Sequence, residues 1–197
     1  MKQVVIISGP TGSGESTITN AIIRRHPNFA RLVTATSRQP RLKEKHGKDY
    51  YFFSKDKFLS EVEKGNIIEY TYIKNRDSYY GTYKQDLDEK LNRGLTVMVN
   101  VDGVGVDYYK RKYKAVAIFI KPGSIEELRG RLKGRDSSIT DAELNKRLEN
   151  AKAEMVNEEK YYDYIVYNEN GKLEEAIGEV RGILQREGYA LDKKPNI

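Results

Sequence analysis

The chain has 197 residues, of which 38% are hydrophobic and 32% charged, with a formal net charge of +6 and no cysteine. Without cysteine there is no disulfide framework, no thiolate metal site and no cysteine nucleophile, and no apolar run approaches the roughly 20 residues of a membrane helix. Basic residues are interleaved with acids in most segments, only Arg38 to Lys48 being locally basic. That pattern favours a small anionic ligand over a nucleic-acid partner.

From the N-terminus, Val4 to Ser8 reads as a buried strand, too short for a signal-peptide core, so a cytoplasmic location is expected. Ser16 to Arg25 reads as the helix after it, ended before Pro27. Further strands are predicted at Arg31–Thr36, Thr96–Val101, Ala115–Ile120 and Tyr164–Tyr167. β-branched runs alternating with helical patterns predict an α/β fold with a parallel sheet covered by helices. Between Thr36 and Thr96 the texture changes: Tyr50–Phe53, Ile67–Tyr72 and Tyr79–Thr82 read as short strands, with a helix at Lys55–Lys64 closed by Gly65. This segment reads as a small mixed insert. Capping boxes at Ser124-x-x-Glu127 and Thr140-x-x-Glu143 start helices running to about Arg135 and about Lys160. An amphipathic helix, Leu173 to Gln185, follows, and the polar tail after Gly188 is expected to be loose. No repeat or linker divides the chain, so one domain is expected, and nothing in the sequence bears on oligomeric state.

Gly9-Pro10-Thr11-Gly12-Ser13-Gly14-Glu15-Ser16-Thr17 lies between the first strand and the first helix. That is the context of the phosphate-binding loop G-x-x-x-x-G-K-[ST], whose glycines let N–H groups face an anion at a helix N-terminus. Ser16 is positioned to put its hydroxyl on Mg²⁺. Glu15 stands where the motif has lysine. Two unit charges 4 Å apart interact by about 4 kcal/mol at an effective dielectric near 20, so reversing one sign costs roughly twice that before screening. Three readings stay open: an engineered replacement, a natural degenerate kinase, or compensation by another cation.

Further along stand Thr36-Ser37-Arg38-Gln39-Pro40-Arg41 and Gly47-Lys48-Asp49-Tyr50-Tyr51-Phe52. Ile68-Glu69-Tyr70, Tyr79-Tyr80-Gly81-Thr82, Val101-Asp102-x-x-Gly105 and Arg131-Leu132-Lys133-Gly134-Arg135 come after them. In this order the motifs resemble the guanylate kinase family, from about Val4 to Gln185. The resemblance implies a P-loop, three-layer parallel sheet with a small mixed α/β GMP-binding insert and a helical lid. It places the core at about 1–33, 83–125 and 160–188, the insert at about 34–82 and the lid at about 126–159.

By the same resemblance Arg38, Arg41, Tyr50 and Tyr80 grip the phosphate of GMP, and bidentate arginine contacts to phosphate make chemical sense there. Glu69 accepts from guanine N1–H and the amino group, a donor pair adenine lacks, while Thr34, Thr82 and Asp102 complete the base site. Gly9 to Thr17 and Asn168 are assigned to ATP, Ser16 to the metal, and position 15 with Arg131, Arg135 and Arg147 to the transferred phosphate. Asn100 is a second departure, since the family carries an aspartate there, linked to the Mg²⁺ shell. The implied activity is ATP + GMP to ADP + GDP with Mg²⁺. The alternative is a degenerate domain that binds GMP or a protein partner without turnover. His26 and His46 have no role in either reading and are expected at the surface.

Overall fold

The computed structural model describes residues 2–191. It opens with β1 (Val4–Ser8), α1 (Glu15–Arg25) and β2 (Phe29–Arg31). A run of short elements follows: β3 (Ala35–Thr36), β4 (Tyr51–Phe52), α2 (Lys55–Glu63), β5 (Ile67–Ile73) and β6 (Ser78–Tyr83). Next come α3 (Lys84–Asn92), β7 (Thr96–Val99), α4 (Gly103–Tyr113) and β8 (Val116–Pro122). The chain closes with α5 (Ile125–Arg135), α6 (Asp141–Glu158), β9 (Tyr164–Asn168) and α7 (Leu173–Arg186).

Five parallel strands form the main sheet in the order β2-β7-β1-β8-β9. Every residue of β1 is buried, as a strand covered on both faces requires. Its side chains alternate between faces. Val5 and Ile7 pack with Ile18 and Ile22 of α1 and Ile177, Val180 and Leu184 of α7. Val4 and Ile6 pack with Leu87 of α3 and Val106 and Tyr109 of α4. Each such side chain contributes roughly 1.5–3 kcal/mol through burial, so one strand secures both helical layers. A second, four-stranded sheet has the order β4-β3-β6-β5, with Phe58 of α2 on it. The pair α5–α6 has its own small core of Leu128, Leu132, Leu144, Leu148 and Ala151. Among the described residues no helix is long and apolar enough to cross a membrane.

Several expectations are corrected. Arg31–Thr36 is not one strand: β2 ends at Arg31 in the main sheet and β3 begins at Ala35 in the second. Between them Leu32 N–H still donates to Met98 O at 2.9 Å, while Val33 N–H turns to Asp86 Oδ2 at 2.9 Å. Two helices were not anticipated. Helix α3 starts without a side-chain cap, and α4 starts through two glycines, capped by Asp102 Oδ1 accepting from Gly105 N at 3.3 Å. His26 is buried, with Nδ1 2.7 Å from Leu191 O, whereas His46 is exposed as expected.

The tail does not loosen at Gly188. Gly188 adopts φ +79°, and Tyr189 N–H returns to Leu184 O at 3.0 Å. A left-handed glycine turning a helix end back on itself in this way satisfies the orphan carbonyls. Tyr189 is thereby buried under the sheet, its hydroxyl donating to Val4 O at 2.6 Å and accepting from Val116 N at 3.1 Å. The remaining tail, residues 192–197, lies outside the described residues. Tyr189→Phe is expected to lower unfolding stability by about 1–3 kcal/mol, because it strands a buried N–H and a carbonyl. Urea denaturation should show this as a lower midpoint at unchanged slope.

Candidate functional site

The loop Gly9–Thr17 leaves the carboxyl end of β1, the central strand, where open α/β sheets form their crevice. Two of its glycines are obligatory for different reasons. A Cβ on Gly9 would stand 2.3 Å from Ile120 O of β8, and Gly14 has φ +94° with Asn168 Nδ2 where its Cβ would be, at 2.1 Å. The outward side of the loop is clamped. Asn168 Nδ2 donates to Ser13 O at 2.7 Å, and Arg131 donates to Gly12 O at 3.4 Å, Ser13 O at 3.2 Å and Asn168 O at 2.6 Å. With carbonyls held outward and a helix beginning at residue 15, whose first N–H groups lack intrahelical partners, the loop is suited to an anion.

Glu15 points into the start of α1 and is 7% exposed. Ser16 Oγ donates to its Oε2 at 2.8 Å and Thr19 Oγ1 to its Oε1 at 3.0 Å. Hydroxyls rather than a cation thus satisfy the carboxylate. Across the crevice Ser8 Oγ donates to Asn100 Oδ1 at 3.2 Å.

The three sequence-selected arginines of α5 and α6 are not gathered together. Arg131 is engaged by the loop carbonyls and by Asn170 Oδ1 at 3.0 Å. Arg135 is exposed and makes no hydrogen bond or ion pair among the described residues. Arg147 pairs with Glu143 on its own helix at 2.9 Å.

The second sheet supplies another pocket. Glu69 Oε1 accepts from Thr82 Oγ1 at 2.5 Å, and Thr82 Oγ1 lies 2.7 Å from the hydroxyl of Tyr109, which is fully buried. Burial, with a lesser push from the charge of Asp102, raises the Glu69 carboxyl from 4.5 to about 7. Thr34, immediately before β3, is half-buried, its carbonyl accepting from Tyr51 N at 2.9 Å. Beyond β6, the Arg38 guanidinium lies 5.4 Å from the centroid of Tyr50, whose ring is 6.1 Å from that of Tyr80. These three come together as the sequence suggested. The Arg41 side chain stays exposed, while its backbone N–H donates to Glu44 Oε2 at 2.8 Å and its carbonyl accepts from Glu44 N at 3.0 Å.

Glu44 and Tyr109 escaped the sequence reading. Glu44 holds Arg38 in a two-pronged contact, Nη2 to Oε1 at 3.0 Å and Nη1 to Oε2 at 2.9 Å. The Arg38 hydrogen bond holds its carboxyl below the ordinary value. Its spacing from Arg41 is the only signal that could have found it. Tyr109 sits on a helix that the sequence reading missed altogether. On α6, Glu158 Oε2 accepts from Gly103 N at 2.7 Å, beside Asp102. Burial and then the charge of Glu158 push neighbouring Glu154 up to about 7. Among the described residues no group of three or more His, Cys, Asp or Glu side chains is arranged to hold a metal ion.

Residues 1–187 match the family model described as guanylate kinase. A guanylate kinase of Geobacter metallireducens is 39% identical over 183 residues, covering 92% of this chain and 87% of that protein. One of Clostridioides difficile is 35% identical over 195 residues, covering 98% and 92%. Among solved structures, guanylate kinase from Anaplasma phagocytophilum superposes with a TM-score of 0.72 at 29% identity, covering 96% of this chain and 87% of that one.

The Glu69 environment has a consequence for stability against pH. Because the folded value, about 7, lies above the ordinary 4.5, the folded protein holds this proton more tightly than the unfolded chain. Its contribution to stability is full below about 4.5, declines as pH rises towards 7, and stays lost above that. Glu69→Gln is therefore expected to be more stable than the parent by about 2–3 kcal/mol at pH 8 and nearly equal to it at pH 4.5. Denaturant titrations at the two pH values measure the difference.

Proposed function

Since the chain belongs to the guanylate kinase family, a family of nucleoside monophosphate kinases, we propose that it transfers the γ-phosphoryl group of ATP to GMP, with Mg²⁺ as the accompanying ion. The observation that carries this reading is the acceptor pocket, in which a half-buried carboxyl group, Glu69, is aimed by the Thr82–Tyr109 hydroxyls. A carboxylate so placed accepts the paired N1–H and amino donors of guanine. Adenine would leave it without those two donors, and a pocket acceptor left short of its donors discriminates against the wrong base. Thr34 and Asp102 complete the base site in this reading.

The phosphate of GMP goes to Arg38, Arg41, Tyr50 and Tyr80. In the structure Glu44 occupies the fork of Arg38. The doubly charged phosphate takes over that guanidinium, and Glu44 keeps it extended until then. The second sheet with α2 acts as the GMP-binding insert, and α5–α6 as the lid. ATP lies along the Gly9–Thr17 loop with its adenine towards Asn168. An oxygen of the GMP phosphate forms the new bond to the γ-phosphorus as the bond to the β–γ bridging oxygen breaks, releasing ADP. Such a reaction needs positioning and charge neutralisation more than covalent chemistry. Arg135 and Arg147 supply charge once the lid closes and excludes water. Ser16 Oγ and the neighbouring oxygen of Glu15 are the hard donors available to Mg²⁺, which when bound neutralises charge on the donor phosphates.

Glu15 also favours a second reading, in which the domain binds GMP but turns it over poorly or not at all. Comparing GMP-dependent ADP release from Mg·ATP by the chain and by Glu15→Lys decides between them. Restoring the cation is expected to raise kcat/KM by on the order of a hundredfold. No release by either protein would overturn the kinase reading and leave the binding module. In the lysine background, Glu69→Gln should cut kcat/KM for GMP by at least about tenfold while AMP is unaffected.

A further inference from the structure

We propose that Glu15 is itself a ligand of the divalent cation that accompanies the phosphoryl donor, oriented for that task by Thr19; this rests on the nucleotide-binding reading above. Oε2 of Glu15 and Oγ of Ser16 are 2.8 Å apart. Adjacent ligands of an octahedral Mg²⁺ with bonds of 2.0–2.1 Å are separated by about 2.9 Å. The two oxygens therefore stand at the edge length of the coordination polyhedron. The cation needs only the hydroxyl proton to turn away. Meanwhile Thr19 Oγ1, 2% exposed as a residue and 3.0 Å from the other carboxylate oxygen, keeps donating to Oε1. Hydrogen bonds from behind are what fix and tune ligating carboxylates in metal sites. Two protein oxygens do not complete a site, so phosphate oxygens and water fill the rest, and metal and nucleotide depend on one another.

Magnitudes favour this use of the residue. Bare, the carboxylate faces the donor phosphates with a repulsion of about 4 kcal/mol per pair of unit charges at 4 Å. A bound dication turns the pair into a net positive centre. The opposing effect of a cation at a helix N-terminus is about 0.3–1 kcal/mol, much smaller. A loop with lysine attracts phosphate with or without metal. This loop, with Glu15 in place of a cation, attracts it far more strongly with metal than without.

Calorimetric titration of the full chain with ATP, in Mg²⁺ and in excess EDTA, tests the assignment. Chelation should weaken ATP binding by a factor at least about tenfold greater for the chain than for Glu15→Lys. In a second measurement, Mn²⁺ bound with ADP and followed by electron spin resonance should be held less tightly by Glu15→Gln and by Thr19→Val than by the parent. Equal chelation losses in the parent and Glu15→Lys, or equal Mn²⁺ affinities in all three proteins, would overturn the proposal. A parallel GMP titration reports the fold and the acceptor pocket. Loss of GMP binding in the parent would overturn the proposed function instead, leaving the Mn²⁺ comparison to judge Glu15 on its own.

Discussion

The clamp on the outer side of the phosphate loop is the constraint on which the site depends. A run of glycine-rich chain has no intrinsic reason to hold its N–H groups inward; left-handed residues at Gly12 and Gly14 permit the curl but do not enforce it. Enforcement comes from Asn168 at the end of β9 and Arg131 on α5, which take up the carbonyls of Gly12 and Ser13. The loop is therefore tied to the β8–β9 edge of the main sheet. Anything that displaces α5 acts on the loop through the Arg131 guanidinium and through Leu128 and Leu132, which lie against Gly12.

The same geometry explains which parts of the molecule were legible in the sequence. Strand β1, the loop and α1 were legible because a buried run, glycines and helical periodicity meet within a short stretch. The capping boxes at Ser124 and Thr140 marked α5 and α6, and both hydroxyls accept from the expected N–H groups. The split between β2 and β3 was hidden, because a strand that leaves one sheet and joins another keeps an extended backbone and an apolar pattern throughout. Helix α4 was hidden by Gly103 and Gly105, poor helix formers kept because their surroundings are full. A Cβ on Gly103 would meet Tyr161 at 2.6 Å, and one on Gly105 would meet Val101 at 2.6 Å. Tyr189 was hidden because burial of a tail residue is a tertiary event that no local pattern announces.

In the candidate site, residues standing in a fixed motif were legible, and those that act on other residues were not. Arg38 and Glu69 stand in ordered motifs. Glu44, which holds Arg38, and Tyr109, at the far end of the hydroxyl relay to Glu69, are recognised only when distant segments meet. Glu15 was legible as an anomaly, but its accommodation was not. An acid in the first turn suits the helix dipole, yet what makes it tolerable at such burial is Thr19, one turn along.

Both carboxylates are accordingly held by hydroxyls, the half-buried Glu69 by Thr82 and the buried Glu15 by Ser16 and Thr19, and among the described residues neither is paired with a cation. A hydroxyl orients a carboxylate without cancelling its charge. On the acceptor side this suits a base that brings two donors of its own. At the loop it leaves negative charge uncancelled, so on the proposed reading positive charge must arrive with the ligand or with α5–α6. The helices α5 and α6 form a unit of their own, because they share a leucine core separate from the two cores of the main sheet. Arg135 and Arg147 ride on that unit at the surface, and Arg131 is its tether to the loop. Position 15 presents a carboxylate rather than a cation to the loop, and on the proposed reading α5–α6 together with a bound ion supply the positive charge the loop lacks.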